Sequence, residues 1–197
     1  MIKKTSIILS GVGGQGIITA ATLLGKAAMK AGVMVYVSEV HGMAQRGGSV
    51  LCTVRMGDVS GALVPSGTAD AILSMEPSET LRYLHYVHKK TKIITDITPL
   101  IPFTVSVGMD TYPDLKEVYR DIKQHAELYT IDAGAIARDA GALITKNTVM
   151  LGALAAAGVL PFTPAILLQT ILENIPKKFE EMNKKAFEGG LQALRHE

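Results

Sequence analysis

The chain has 197 residues, 48% apolar and 19% charged, a balance that excludes intrinsic disorder and allows one sizeable core. Its formal net charge of +2, with no dense Lys/Arg run interleaved with aromatics, argues against nucleic acid as a partner. The one cysteine, Cys52, excludes both an internal disulfide framework and a cysteine-held iron–sulfur cluster built by this chain alone. It fits a reducing, cytoplasmic compartment.

The first apolar run, in "MIKKTSIILSG", stops too soon for a secretory signal. "TSIILSG" reads as a strand, and "QGIITAATLLGKAAMKAG" as a helix. Ile17, Ala20, Ala21, Leu24 and Ala28 fall in helical rows there, and Gly32 is the expected stop. Between strand and helix lies "GVGGQG", in which Gly11, Gly13 and Gly16 satisfy the G-x-G-x-x-G spacing. With Gly14 and Gln15 they form a candidate phosphate-binding turn, because glycines let an anion approach backbone N–H groups at a helix N-terminus. The bland alternative is a turn that only lets the helix pack on the sheet.

"VMVYVSEV" predicts a second strand, followed by "EVHGMAQRGG", read as a polar loop at the sheet's carboxyl edge. Glu39 would open that loop, somewhat later than the ~20-residue distance at which a ribose-binding acid usually follows a glycine turn. Gly42, Gly47 and Gly48 would let the loop bend. Arg46 is suited to hold a carboxylate or phosphate through parallel N–H bonds, or to pair with Glu39. Gln45 belongs to the same candidate ligand or interface loop. His41 reads as a hydrogen-bonded loop residue, not an acid–base catalyst.

"SVLCTVRM" predicts a third strand with Cys52 as a small buried hydrophobe, and Gly57–Asp58 a turn. "ADAILSM" is a further strand, and "PSETLRYLHYVHK" a helix with Pro77 in its first turn. "TKIITDI" and "ELYTID" are strand candidates flanking a helix around "PDLKEVYRDIKQHA". From Ala133 onward everything reads as helical. The stretch from Asn147 to Leu172 carries no charge, but Gly152, Gly158, Pro161 and Pro164 divide it into two short buried helices, not a membrane span. Thr163 before Pro164 is a suitable N-cap.

This alternation predicts an α/β fold: a three-layer, Rossmann-like, mostly parallel sheet with helices on both faces and a helical C-terminal third. A single domain over 1–197 is expected, an α/β core to about residue 132 followed by a helical tail from 133. So apolar a chain of this size is also expected to leave apolar surface for a partner.

Other chemistries find no support. A Walker loop needs Lys and Ser or Thr where Ile17 and Ile18 stand, and the five histidines are scattered, so neither a metal site nor a catalytic residue is assigned. His85 and His88, like the charges of "KKFEEMNKK", read as solvated faces.

Taken together, "GVGGQG", "SEVHGMAQRGGSV", "MEPSETLRYL", "KNTVMLGALAAAG" and "EEMNKKAFEGG" resemble the gamma-type subunits of 2-oxo acid:ferredoxin oxidoreductases. The "HGMAQ" before Arg46 resembles the indolepyruvate branch. The resemblance implies oxidative decarboxylation of an arylpyruvate to aryl-acetyl-CoA, with coenzyme A as co-substrate and ferredoxin as electron acceptor. Thiamine diphosphate and iron–sulfur clusters are implied for a larger partner subunit, since "GDVSG" lacks the third glycine and downstream asparagine of the thiamine-diphosphate motif. No cofactor is expected on this chain alone, which would not be active by itself. The 39–48 loop and the uncharged C-terminal helices are expected to contact the large subunit. Two alternatives stay open: the gamma subunit of a pyruvate, 2-oxoglutarate or branched-chain 2-oxo acid enzyme, and a free-standing NAD-type nucleotide-binding protein.

Overall fold

A computed structural model describes residues 4–42 and 47–195. Gln45 and Arg46, with the ion pair proposed between Arg46 and Glu39, lie outside the described residues. The strands are β1 (Thr5–Val12), β2 (Val35–His41), β3 (Ser49–Met56), β4 (Ala71–Ser74), β5 (Lys92–Asp96) and β6 (Glu127–Ile131). They form one sheet in the order β2-β3-β1-β4-β5-β6. β1, β4, β5 and β6 run parallel, as the alternating pattern predicts, whereas β3 is antiparallel to both neighbours. The helices are α1 (Ile17–Lys30), the short α2 (Phe103–Ser106), α3 (Leu115–His125), α4 (Ala133–Asp139), α5 (Lys146–Ala156), α6 (Pro164–Glu173) and α7 (Glu180–Arg195).

Period-two alternation assigns the sheet's two faces. Ile7 and Leu9 of β1, with Leu73 and Ile94, bury one face under α1, α5 and the other C-terminal helices. Ile8, Ile72 and Ile93 face the other way, onto Val118 and Ile122 of α3. There the expected helix after Pro77 is instead a 3-10 helix over Ser78–Tyr86, ending where Val87 turns extended. Leu81, Leu84 and Val87 pack on this second cluster. Their spacing of three matches a helix with three residues per turn, in which such side chains eclipse.

α5 is apolar on all sides, the signature of a helix buried all round. Val149, Met150, Ala153 and Leu154 are fully buried, beneath α7, α4, α6 and α1 of the same chain. α5 is therefore core, as expected of a buried helix, and the expected contact of the C-terminal helices with a partner does not include it; in α6 only Leu167, Thr170 and Ile171 are buried. α6 begins at Pro164 as predicted, but the Thr163 hydroxyl makes no capping bond. No helix among the described residues is long and apolar enough to cross a membrane.

Candidate functional site

The glycine turn sits at the carboxyl edge of the sheet, where α/β folds place ligands. Its glycines do different work. At Gly11, in β1, a Cβ would lie 2.6 Å from Gln15 Oε1 and 2.7 Å from Ile17 Cδ1, so its bareness lets α1 pack on the strand. Gly14 (φ 101°) and Gly16 (φ 77°) adopt left-handed conformations that disfavour side chains. A Cβ on Gly16 would also lie 2.2 Å from Asn147 Nδ2, whose amide donates to the Gly16 carbonyl at 3.3 Å. Gly13 donates its N–H to Gly48 O (2.8 Å) and accepts from Gly47 N. That stitches the turn to the entry of β3, so Gly13 N–H faces protein and not a ligand.

Gln15 is a clamp. Its Oε1 accepts from Val12 N (2.8 Å) and its Nε2 donates to Met75 O (3.0 Å), tying the turn to the end of β4. The anion-binding capacity of the turn therefore rests on the start of α1. No side chain caps this helix, and Ala20 N to Gly16 O is its first backbone bond. The N–H groups of Ile17, Ile18 and Thr19 precede that bond and carry the positive end of a 14-residue helix dipole.

Three cavities flank the turn. One of about 580 Å³ is walled by Gly13, Gly14, Gly16, Ile18, His41 and Gly42. A second, about 330 Å³, is walled by Gly14, Gln15, Gly16, Ile144, Lys146 and Asn147. A third, about 480 Å³, lies between Gly13, Gly47, Glu76, Glu79, Leu100 and Ile101. The structure thus brings Gly13, Gly14, Gln15, Gly16, His41, Gly42 and Gly47 around one turn.

Glu39 is placed otherwise. It lies within β2 rather than opening a loop, paired with Cys52, which in turn pairs with Leu9 of β1. The β3 strand therefore separates it from β1 by two strand spacings, ~10 Å. An acid that receives a dinucleotide's ribose closes the strand beside β1, and Glu39 does not. Its carboxylate is half-exposed, 3.9 Å from His41 Nε2. His41 Nδ1 bonds the Gly42 carbonyl at 3.0 Å, consistent with a local structural role.

The pattern of the pyruvate ferredoxin/flavodoxin oxidoreductase family matches residues 6–193. The chain belongs to that family. Among its relatives, Indolepyruvate oxidoreductase subunit IorB of Pyrococcus horikoshii is 45% identical over 98% of each chain, and its namesake in Thermococcus kodakarensis 44% over the same share. In the latter organism, "Pyruvate/ketoisovalerate oxidoreductases common subunit gamma" is 30% identical over 90% of each chain. The structure of a 2-oxoglutarate:ferredoxin oxidoreductase from Magnetococcus marinus, with 2-oxoglutarate, coenzyme A and succinyl-CoA bound, superposes with a TM-score of 0.74 at 23% identity. It covers 99% of this chain but only 32% of that one, so the same fold there is part of a longer polypeptide.

This member of the pyruvate ferredoxin/flavodoxin oxidoreductase family holds site residues that the sequence reading did not assign. Lys146 opens α5 beside the turn and pairs with Asp96, which closes β5, is fully buried, and also accepts from Ala133 N at 3.2 Å. Glu76, buried at the end of β4, accepts from Ser78 Oγ, Glu79 N and the Tyr112 hydroxyl. Burial and the bond to Glu76 push that hydroxyl's pKa up. The signals were present in "TD" and "KN": an acid ending a buried strand, and a lone charge heading an uncharged helix.

Cys52 does not suit a metal or nucleophile role. It is buried, and burial together with the Glu39 charge pushes its thiol up to about 11. At pH 8 its thiolate fraction should be roughly a hundredth of that of an ordinary exposed thiol. Alkylation by iodoacetamide is therefore expected to be at least ~100-fold slower in the folded chain than in urea. Equal rates would show that the thiol is open.

Proposed function

We propose that this chain is the small, non-redox subunit of an oxidoreductase that decarboxylates indolepyruvate and related arylpyruvates. In this reading the arylpyruvate loses carbon dioxide, its acyl group forms a thioester with coenzyme A, and the electron pair passes to ferredoxin. In this reading a larger subunit carries thiamine diphosphate and iron–sulfur clusters; this chain's single, buried cysteine is too few to hold a cluster. The glycine turn contributes recognition of a phosphate-bearing group, most simply that of coenzyme A, through the start of α1 and the nearby Lys146.

The observation that carries the substrate class is the contrast within Thermococcus kodakarensis: 44% identity to the indolepyruvate subunit against 30% to the pyruvate/ketoisovalerate one. The test is co-expression with the large subunit and comparison of substrates in an acceptor-reduction assay. Indolepyruvate should exceed pyruvate and 2-oxoglutarate by ~10-fold or more in kcat/KM. A preference for either of the latter would move the chain to another branch. The NAD-binding alternative finds no support in the placement of Glu39.

The turn has its own test. Gly16→Val forces a side chain onto Asn147 and into a left-handed backbone. Coenzyme A affinity of the assembled complex is expected to fall ~10-fold or more, by calorimetry, with the complex still formed. Unchanged affinity in a folded variant would make the turn a packing device only.

A further inference from the structure

β2 ends the sheet on one side, yet it lacks the usual protection of an edge strand. Natural edges are guarded against pairing by lysine, proline, bulges or a covering element. From Ala31 to Ser38 the chain has neither charge nor proline, and β2 runs in unbroken register with β3. Met34 (63% exposed), Val37 (45%) and Val40 (63%) face solvent along it. The opposite edge, β6, is flanked by α3 and α7. The phase of the β2–β3 ladder also shows which backbone groups are free. Gly57 donates its N–H to Met34 O at 2.9 Å. Antiparallel ladders alternate, so Met34, Tyr36, Ser38 and Val40 turn their N–H and C=O groups toward β3. Those of Val35, Val37, Glu39 and His41 point outward.

We infer that β2 is a self-association edge, on which a second copy of this chain pairs antiparallel about a two-fold axis at Val37, joining two six-stranded sheets into one. The pairing does not depend on the function proposed above. Its occupant follows from the strand's own pattern. A two-fold axis normal to the sheet keeps every side chain on its face, so it must pass through a residue. At Val37 it sets Val35 opposite Glu39 with the outward groups bonded, and Met34 opposite Val40 with their side chains in contact. Charge selects this register. An axis at Glu39 would oppose two carboxylates, and one at Ser38 would set them diagonally. With the axis at Val37 they stand four residues apart along the seam, ~14 Å, beyond the ~8 Å Debye length at physiological ionic strength. α1 widens the contact. It crosses β2 where a Cβ on Gly25 would lie 2.9 Å from Val37 Cγ2. The axis therefore places both α1 helices on one face of the seam, each carrying the exposed Met29 one turn beyond Gly25. Such a self-complementary two-fold contact is the commonest route to an oligomer.

Light scattering of the free chain at ~50 µM should give twice the 21.0 kDa mass of one chain. Val40→Lys supplies the missing guard charge at an exposed position, and should weaken the dimer ~10-fold or more while leaving the circular dichroism spectrum unchanged. Met34→Cys/Val40→Cys tests the register. Across the seam these positions form a non-hydrogen-bonded pair with Cα atoms ~4.5 Å apart, within disulfide reach. Inside one chain they are six residues apart, ~20 Å, and cannot join. Mild oxidation should give a covalent dimer from the double variant and not from either single one. A wild-type chain that is monomeric at ~50 µM, a dimer indifferent to Val40→Lys, or one that the double variant does not crosslink would overturn the proposal. So would hydrogen-exchange protection of 35–41 that appears only with the large subunit, which would give the edge to a strand of that chain.

Discussion

Gly190→Ala and Gly152→Ala are each expected to destabilise the chain by about 3 kcal/mol or more, although alanine ordinarily stabilises a helix by ~0.5–1 kcal/mol over glycine. The reason is the contact between α5 and α7. A Cβ on Gly190 would lie 1.9 Å from Val149 O, and one on Gly152 would lie 2.2 Å from Phe187 O. Both obstacles are backbone, which has no rotamer to change, so the helices would have to separate. At Gly189 the nearest atom is the Ile136 side-chain Cγ2, at 2.5 Å, which can turn away. Gly189→Ala should cost less than half as much. For a chain of this size ~3 kcal/mol is about 6–12 °C in Tm, measurable by circular dichroism. A Gly190→Ala variant as stable as wild type would disprove the close packing. The consequence reaches the site, because α5 begins with Lys146 and Asn147 against the glycine turn.

Asp96→Ala is the second large effect. It removes a fully buried carboxylate that serves both Lys146 and the Ala133 N–H. Breaking one side of a buried ion pair costs about 3–5 kcal/mol, mainly through the charge left behind. Lys146 is 23% exposed and can partly rehydrate in the cavity, which favours the lower end. Two further variants separate the contributions. Asp96→Asn keeps an acceptor for Ala133 N and should cost less than Asp96→Ala. Asp96→Ala/Lys146→Met removes both charges and should recover most of the loss, since isosteric apolar replacement of a buried pair is often neutral. Urea denaturation of the set gives the coupling free energy. Strict additivity would mean that the two charges do not interact.

Local signals carried much of the fold. β3 runs over Ser49–Met56, the span of its β-branched and apolar residues, and α1 stops within a residue or two of Gly32. The glycine turn lies between strand and helix as its spacing requires. What local signals do not encode is direction and neighbourhood. Nothing in "SVLCTVRM" says that it returns antiparallel between β1 and β2, yet that insertion moves Glu39 out to an edge strand. The Asp96–Lys146 pair joins residues far apart in the chain, and no periodicity reports such a contact. Glycine at 152 and 190 lowers helix propensity when read locally, and only the packed pair explains it. High overall apolarity points to a covered surface but not to what covers it: α5 is buried by α7 of the same chain.

An obligatory, non-redox role for this chain in arylpyruvate oxidation makes turnover depend on both subunits. An omission experiment at fixed indolepyruvate and coenzyme A concentrations, following reduction of ferredoxin, decides it. The large subunit alone and this chain alone should each be inactive, and the mixture should give turnover that depends on coenzyme A. Full coenzyme A-dependent turnover by the large subunit without this chain, or no turnover from the assembled pair, would rule that role out.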